Sequence, residues 1–237
     1  MSYVSSWFGR ALTIIALCAS ISAQASVIIG GTRVVVTDSP NGTSLTLSNP
    51  ENSGVFLVQS YITPYTDASN KTTGDTAIPF IVTPPLFRIE PGQQNAVRIM
   101  YTGKDLPQDK ESVFYYHAKA IPQLKKDSGN ILALTIDSAL KLFYRPQALT
   151  GRAATEAYKK VIFRRQGESL VASNPTPYHI SLYEIMAGEG KIDIKTQPLL
   201  MPHGTASWPL PPKAGNNIKW KTIGDLGEIT NEEQVQL

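Results

Sequence analysis

The chain has 237 residues, a formal net charge of +3 at pH 7 and one cysteine. A charge this close to zero gives no indication of a surface for nucleic acid, and a single cysteine excludes a framework of disulfides within the chain. The length exceeds a typical domain of about 100 to 150 residues, so two domains are expected, each with its own apolar core.

The N-terminus has the pattern of an export signal. Arg10 is the only charged residue before a mostly apolar run at 11–21, and small residues follow up to Ala25. The run is shorter than the roughly 20 apolar residues that a transmembrane helix needs. We therefore expect the first 25 residues to be a signal peptide, cleaved after Ala25. The mature protein would begin at Ser26, would be soluble and would lack Cys18, the only cysteine.

The part from Ser26 to Pro146 has an all-β pattern. Short runs rich in β-branched and aromatic residues alternate with clusters of Pro, Gly, Asn and Asp, at the spacing of strands and turns. Seven such runs in about 120 residues are typical of an immunoglobulin-like sandwich. The predicted strands are 27–36, 43–47, 55–63, 78–82, 96–101, 113–120 and 131–144.

A change of composition marks a second part of the chain. After Tyr144-Arg145-Pro146 comes a stretch of small and polar residues, 147–157, before strand-like runs resume at Val161. We place the domain boundary there, with one immunoglobulin-like domain at 26–146 and a smaller β-sandwich at 147–237. The predicted strands of the second domain are 161–164, 170–172, 179–186, 191–196, 205–208 and 218–222, with one helix-like run at 153–160.

The sequence contains none of the common motifs of catalysis or metal binding. Its three histidines, at 117, 179 and 203, are far apart and do not have the short spacing of a zinc site. It also lacks the nucleophile elbow, the phosphate-binding loop and the dinucleotide fingerprint. We therefore expect no enzyme, no metal and no cofactor. A catalytic triad assembled in space would leave no such motif, so an enzyme built on a β-sandwich stays an alternative.

The last predicted strand of the first domain is unusually long. Strands commonly have five or six residues, and 131–144 is more than twice that length. Because strand side chains alternate, Leu132, Leu134 and Ile136 share one face, and Asp137 lies on the other. Alternation alone favours an ordinary strand that packs its apolar face into the core. In the same way, isolated charges such as Arg33 and Lys141 are by themselves most simply explained as surface residues.

Read together, several segments resemble the PapD-like family of periplasmic pilus chaperones, and the resemblance runs through both predicted domains. The segments that carry it are Thr32-Arg33-Val34, Leu47-Ser48-Asn49, Val58-Gln59-Ser60, the run from Pro84-Pro85 to Glu90-Pro91-Gly92, the run from Leu106 to Ser112 with Phe114, Ile121-Pro122, Lys141-Leu142-Phe143-Tyr144-Arg145-Pro146, Asn174-Pro175-Thr176-Pro177-Tyr178 and Gly224-Asp225-Leu226-Gly227. His117, Ala118 and Gln123 depart from the family pattern, which puts local packing and the preference for a subunit in doubt.

The resemblance implies a function and an architecture. Two immunoglobulin-like domains would meet at an angle and enclose a cleft. The protein would bind, fold and cap pilus subunits in the periplasm by lending them a strand, a process called donor-strand complementation, and would deliver them to an outer-membrane usher. It would not be embedded in a membrane. The resemblance leaves open whether the free chaperone covers its strand by forming a dimer. A structural or adhesive module, such as a pilus subunit, is a further alternative.

The resemblance also implies roles for particular residues. Arg33 and Lys141 would bind the C-terminal carboxylate of the subunit. The donor strand would insert Leu132, Leu134 and Ile136 into the subunit. The interdomain salt bridges would be formed by Glu111, Arg145 and Asp225. The stretch between Pro122 and Ile131 is short and has no cysteine, which is typical of the short-loop subfamily of these chaperones, associated with rod-like pili.

Overall fold

The computed structural model describes residues 27–68, 70–73, 75–103, 106–124 and 133–237. The predicted signal peptide and Leu132 of the predicted donor strand lie outside these residues. In the described ranges the chain is nearly all-β, with 49% strand and 6% helix, which confirms the predicted fold class. No helix among the described residues is long and apolar enough to cross a membrane.

The first β-sandwich is formed by strands β1 to β9. One sheet has the order β1-β3-β7-β5, and the other has the order β2-β9-β8-β4-β6. The strands are β1 Ile28–Ile29, β2 Arg33–Val36, β3 Thr43–Ser48, β4 Phe56–Pro64, β5 Phe80–Thr83, β6 Leu86–Ile89, β7 Gln94–Tyr101, β8 Ser112–Pro122 and β9 Ile136–Tyr144. Alternate side chains of facing strands fill the space between the sheets, among them the fully buried Leu47, Phe114 and Leu142.

The first predicted strand, 27–36, is in fact two strands in different sheets. β1 pairs with β3, whereas β2 pairs with β9. Gly30 and Gly31 separate them, and Gly31 has a φ of 143°. A residue with a side chain rarely adopts this backbone conformation, so the glycine allows the chain to leave one sheet and enter the other.

The chain also changes sheets at the paired prolines. β5 ends at Thr83 in the first sheet, and β6 begins at Leu86 in the second. Pro84 and Pro85 lie between them, and the Thr83–Pro84 peptide bond is cis. Proline has a fixed φ and no backbone N–H to donate, so these two residues interrupt strand pairing. The strand β6 was not among the predicted strands.

The long strand of the first domain is shorter than predicted. β9 begins at Ile136, and the preceding described residues, 133–135, are not in a strand. On one side β8 pairs antiparallel with the whole of β9, from Ala120 opposite Ile136 onwards. On the other side β2 pairs in parallel only from Lys141 to Tyr144. Among the described residues, the segment 136–140 therefore has a neighbouring strand on one side only, and we call it the open edge.

The second β-sandwich is formed by strands β10 to β17. One sheet has the order β10-β11-β15, and in the other β13-β12-β16-β17 is joined by β14, which pairs with β12. The strands are β10 Ile162–Gln166, β11 Ser169–Ser173, β12 Ile180–Ala187, β13 Gly190–Lys191, β14 Leu199–Leu200, β15 Thr205–Pro209, β16 Asn217–Ile223 and β17 Glu233–Gln236. Trp208 and Ile185 are fully buried in its core.

The strands of the second domain differ in part from those predicted. The run 191–196 is a strand only at Gly190–Lys191, and the sequence did not predict β14 or β17. The predicted helix-like run 153–160 is confirmed, as one helical turn at Arg152–Thr155 followed by a 3₁₀ helix at Ala157–Lys160. These turns lie between β9 and β10 and connect the two sandwiches.

The two sandwiches contact each other through a small apolar cluster. Tyr65, Val113 and Phe143 of the first sandwich are buried against Leu199 of the second, with Met201 packed at the side. Burying apolar area in this way is worth about 25 cal/mol per Å². The cluster places the end of β9 beside the second domain.

Candidate functional site

Exposed apolar side chains lie at the start of the open edge and just before it. Ile136 is 46% exposed and Leu134, just before the strand, is 69% exposed. Leu142, on the same face of β9 as Ile136, is fully buried in the core, and Leu140 between them is partly buried. The apolar face of the strand thus continues beyond the core of its own domain. Neither Leu134 nor Ile136 is a core residue of this chain, which excludes the ordinary interpretation of the pattern for these two positions.

The backbone of the open edge is also unsatisfied on one side. In a strand, successive N–H and C=O groups point alternately to the two sides, and β8 uses only one set of them. The other set is left without a strand partner among the described residues. Such an edge is a template for pairing with another chain. Apolar side chains and free backbone groups therefore occur in the same segment.

Arg33 and Lys141 lie side by side where the open edge ends. They are paired in register, Arg33 at the start of β2 and Lys141 on β9. Burial, and then the charge of Arg33, lower the pKa of Lys141. Lys141 forms no ion pair with any residue that the structure describes. Two cations are therefore adjacent and partly buried, and neither forms an ion pair with a carboxylate of the described residues.

The side chains of these two residues face different surroundings. Lys141 lines an open cavity of about 510 Å³ together with Tyr115, His117 and Pro198. Arg33 instead lines a small cavity of about 60 Å³ against the second domain. Its guanidinium Nη1 donates to the carbonyl oxygen of Ile223 at 2.8 Å. The structure thus brings the two cations together in the sheet but gives Arg33 a partner in the other domain.

The predicted salt-bridge residues form one network across the domain interface. Arg145 Nε donates to Glu111 Oε1 at 2.6 Å. Its Nη1 and Nη2 donate to the two oxygens of Asp225 at 2.6 and 2.8 Å, a bidentate pair. Burial opposes the charge of Arg145, but the hydrogen bonds and charges of Asp225 and Glu111 outweigh it and raise its pKa. The network connects the strand ends of the first sandwich to the loop after β16.

Sequence reasoning missed a second layer of this network. The backbone N–H of His179 donates to Glu111 Oε2 at 2.7 Å, and the N–H of Glu111 donates to the carbonyl of Pro177 at 2.9 Å. The ring of Tyr178 lies 5.6 Å from the guanidinium carbon of Arg145. The turn that carries these residues is held by Asn174, whose Nδ2 donates to the carbonyl of Tyr178 at 2.6 Å. The Asn-Pro-Thr-Pro-Tyr motif therefore has a structural role at the interface.

A polar network on the other face of β9 was also missed. Tyr61 Oη donates to Asp137 Oδ2 at 2.6 Å, and His117 Nδ1 lies 3.2 Å from Asp137 Oδ1. The rings of Tyr61 and His117 stack at 4.6 Å, and His117 Nε2 contacts the hydroxyl of Thr63 at 3.0 Å. The hydrogen bond to Asp137 is the main cause that raises the pKa of Tyr61 to about 12. The network connects the open edge, through Asp137, to side chains of β4 and β8 on the opposite face of the sheet from Ile136. One of its members, His117, departs from the family pattern.

Comparison with protein families gives matches over both domains. Residues 26–150 match the model of a pili and flagellar-assembly chaperone, the PapD N-terminal domain, and residues 156–234 match the pili assembly chaperone PapD, C-terminal domain. The resemblance that the sequence motifs indicated is thereby confirmed.

Individual relatives support the same assignment. The chaperone protein FimC of Escherichia coli K12 is 36% identical over 222 residues, covering 92% of this chain and 88% of that protein. The chaperone protein FimB/FhaD of Bordetella pertussis is 34% identical over 225 residues, covering 91% of both. Among solved structures, the Escherichia coli chaperone DraB superposes with a TM-score of 0.76 at 32% identity, covering 90% of this chain and 98% of that one. A chain from the complex of the Salmonella enterica SafA pilin with the SafB chaperone gives a TM-score of 0.75 at 30% identity, with 90% and 96% covered.

Proposed function

The chain belongs to the PapD-like family of pilus-assembly chaperones, and from this premise we propose that it binds, folds and caps pilus subunits by donating β9 to them. The observation that carries this proposal is the open edge, where the backbone has no strand partner on one side among the described residues and Ile136 is exposed, with the exposed Leu134 two residues before it. The capped subunit is then delivered to an outer-membrane usher. Neither catalysis nor a cofactor is part of the proposed function.

The partner that fits such an edge is a sandwich that lacks a strand. Its own sheet edge would pair with 136–140 by main-chain hydrogen bonds, while Leu132, Leu134 and Ile136 enter its apolar groove at alternate positions. Burying each of these side chains contributes roughly 1.5 to 3 kcal/mol. Three of them would contribute several kcal/mol to the binding free energy, before the costs of association are subtracted. Capture of the subunit would therefore depend on these side chains as well as on main-chain hydrogen bonds. Leu132 lies outside the described residues and enters the proposal through the family resemblance.

The partner's strand would end at the two cations. β2 begins beside Lys141 at the point where the open edge stops, so a strand added to the open edge would abut β2. Its terminal carboxylate, which has a pKa near 3.5 and is ionised at neutral pH, would lie between Arg33 and Lys141. This contact would fix the register, because a slip of one residue would turn every apolar side chain to the wrong face.

Glu111, Arg145 and Asp225 would hold the two domains in the orientation that this site requires. We place the boundary between the domains at 146/147, which is supported by the end of β9 at Tyr144 and the start of β10 at Ile162. Arg145 lies next to Pro146, the last residue before this boundary, and contacts a carboxylate from each domain. The network would therefore orient the domains. Its loss should change the angle between the domains more than it changes the packing of either core.

Replacing Asp225 by alanine is expected to lower the free energy of unfolding by about 1 to 3 kcal/mol, because it leaves the largely buried charge of Arg145 with one partner fewer. Thermal unfolding would measure the stability, and small-angle scattering would report the relation between the domains. Glu232 provides the control: its ion pairs with Lys219 and Lys221 are exposed, so its replacement by alanine should leave the thermal midpoint nearly unchanged. If the Asp225→Ala protein keeps both its thermal midpoint and its scattering curve, the network does not orient the domains.

Export by a cleavable signal places the chaperone in the periplasm, where the family acts. The proposed cleavage after Ala25 predicts that the protein recovered from periplasm begins at Ser26 and contains no cysteine. Intact-mass spectrometry of that fraction measures this directly. A mass that includes Cys18, or one increased by a lipid, would contradict the proposed processing.

The segment before the donor strand and the open edge each suggest a further property of the chaperone. The segment 123–130 is short and lacks cysteine, so we place the chain in the short-loop subfamily. An open edge is also a hazard to the free protein, since it can pair with any exposed strand. A self-capping dimer, in which two copies cover each other's open edge, would be one way for the unloaded chaperone to protect it.

Co-purification tests the proposed function. The tagged chaperone, expressed with its own export signal in its native host, is recovered from periplasm, and the bound proteins are identified by mass spectrometry. We expect small secreted sandwich proteins that belong to a pilus. Recovery of the chaperone without any such subunit, under conditions in which the pili are made, would favour a structural or adhesive module instead.

A further inference from the structure

The side chain of Arg33 starts in the first domain but is held by the second. Its Nη1 donates to Ser181 Oγ at 3.2 Å and to the carbonyl oxygen of Ile223 at 2.8 Å. Ser181 lies on β12 and is only 3% exposed, and Ile223 is the last residue of β16. Two groups from two strands of the second sandwich therefore fix one nitrogen of the guanidinium.

Among the residues that the structure describes, the other two nitrogens of Arg33 have no hydrogen-bond partner. Nε is buried and has no hydrogen bond within the described residues, and Nη2 donates to none of them. Asp225, Glu228 and Glu111 act on Arg33 through their charges, but none of them forms an ion pair with it. Their attraction only partly offsets the effect of burial, which lowers the pKa of Arg33.

The geometry of a guanidinium makes this division meaningful. A guanidinium can bind both oxygens of a carboxylate through Nη1 and Nη2, as Arg145 does with Asp225, or through Nε and Nη2 on the side away from Nη1. The guanidinium carbon also lies 5.7 Å from the centre of the Phe143 ring, which limits rotation on one face. The contacts to the second domain thus occupy Nη1, and among the described residues they leave the second of these two pairs, Nε and Nη2, without a hydrogen-bond partner.

We propose that Ser181 is a positioning residue for the C-terminal carboxylate of the subunit, acting through Arg33. This inference rests on the proposed function, in which Arg33 binds that carboxylate. By holding Nη1, Ser181 selects one orientation of a long side chain that would otherwise sample many, so less conformational entropy is lost when the carboxylate binds. The second domain, which contributes no strand to the open edge, then takes part in recognition.

The test compares two forms of one peptide. The probe is the C-terminal strand of the subunit recovered by co-purification, synthesised with a free carboxylate and, separately, with a C-terminal amide. Binding of both to the full mature chaperone is measured by titration calorimetry. The wild-type protein should bind the free acid roughly tenfold more tightly than the amide.

Ser181→Ala should weaken binding of the free acid roughly two- to tenfold, because one hydrogen bond to the guanidinium is lost, and should leave binding of the amide unchanged. Ser181→Thr keeps the hydroxyl and should restore the preference for the acid. Ser173→Ala, in the other sheet of the second sandwich, is the matched control and should behave as wild type. Because the amide reports the rest of the site, a general loss of folding would weaken both peptides and would be recognised.

The outcomes separate the two levels of the proposal. If the wild-type protein binds acid and amide equally, the carboxylate anchor itself is wrong, and the role of Ser181 is overturned with it. If the wild-type protein prefers the acid and Ser181→Ala keeps that full preference, or weakens both peptides equally, only the positioning role is overturned. Arg33 would then be an anchor that needs no support from the second domain.

Discussion

Replacing Lys141 by alanine should leave the chaperone folded and weaken capture of its subunit roughly ten- to hundredfold. Lys141 is a partly buried cation that forms no ion pair among the described residues, and burial lowers its pKa, so the folded chain gains nothing from its charge. The subunit carboxylate, in contrast, would lose a charge-assisted hydrogen bond, worth about 1.5 to 3 kcal/mol. Circular dichroism of the variant and its affinity for a purified subunit measure the two effects.

Lys191 provides the control for this experiment. It lies on β13 of the second sandwich and pairs with Glu184 on the surface, away from the open edge. Lys191→Ala removes the same charge and should capture the subunit as well as wild type does. If Lys141→Ala also captures at the wild-type level while folded, the carboxylate anchor does not exist at this position.

Leu134→Asp should abolish subunit capture without unfolding the free chaperone. The side chain of Leu134 is 69% exposed in the free protein, so a carboxylate there stays in water and costs the fold little. In the complex the same carboxylate would enter an apolar groove, where burying an unpaired charge costs several kcal/mol at least. The thermal midpoint should therefore stay near the wild-type value, and binding of the subunit should fall below detection.

An equally drastic change elsewhere separates this effect from general surface damage. Ile162 on β10 is 44% exposed and belongs to the second sandwich, and Ile162→Asp should keep both fold and capture. Unfolding of the Leu134→Asp protein would show that Leu134 packs in a core in solution. Normal capture by a folded Leu134→Asp protein would show that this residue does not enter the subunit.

The sequence predicted the fold class and most strands because β-sandwich patterns are local. Alternating burial and turn residues identify strands such as β4 and β8 without knowledge of their partners. The same local view merged β1 with β2, since nothing in the apolar pattern of 27–36 shows that the chain changes sheets at Gly30 and Gly31. It also extended β9 to residue 131, because alternating apolar residues predict a strand whether or not a neighbouring strand pairs with them.

The site was less accessible to sequence reasoning, because it depends on which strands are neighbours. Arg33 and Lys141 are far apart in the chain and meet only through the parallel pairing of β2 with β9. Composition and spacing assigned both to the surface, and only the family resemblance joined them. The contacts of Arg33 with Ser181 and of Tyr61 with Asp137 depend on exact register and on domain packing, so no motif indicated them.

Hydrogen exchange measured by mass spectrometry, on the chaperone alone and bound to its subunit, tests donation of the open edge most directly. In the free protein, alternate backbone N–H groups of 136–140 have no neighbouring strand to which they could donate a hydrogen bond, so they should exchange quickly. The N–H groups of β8 that donate to β9 should stay protected. Binding of the subunit should slow exchange at the open edge strongly and leave the sheets of the second sandwich nearly unchanged. Tight binding with unaltered exchange at 136–140 would contradict strand donation by β9.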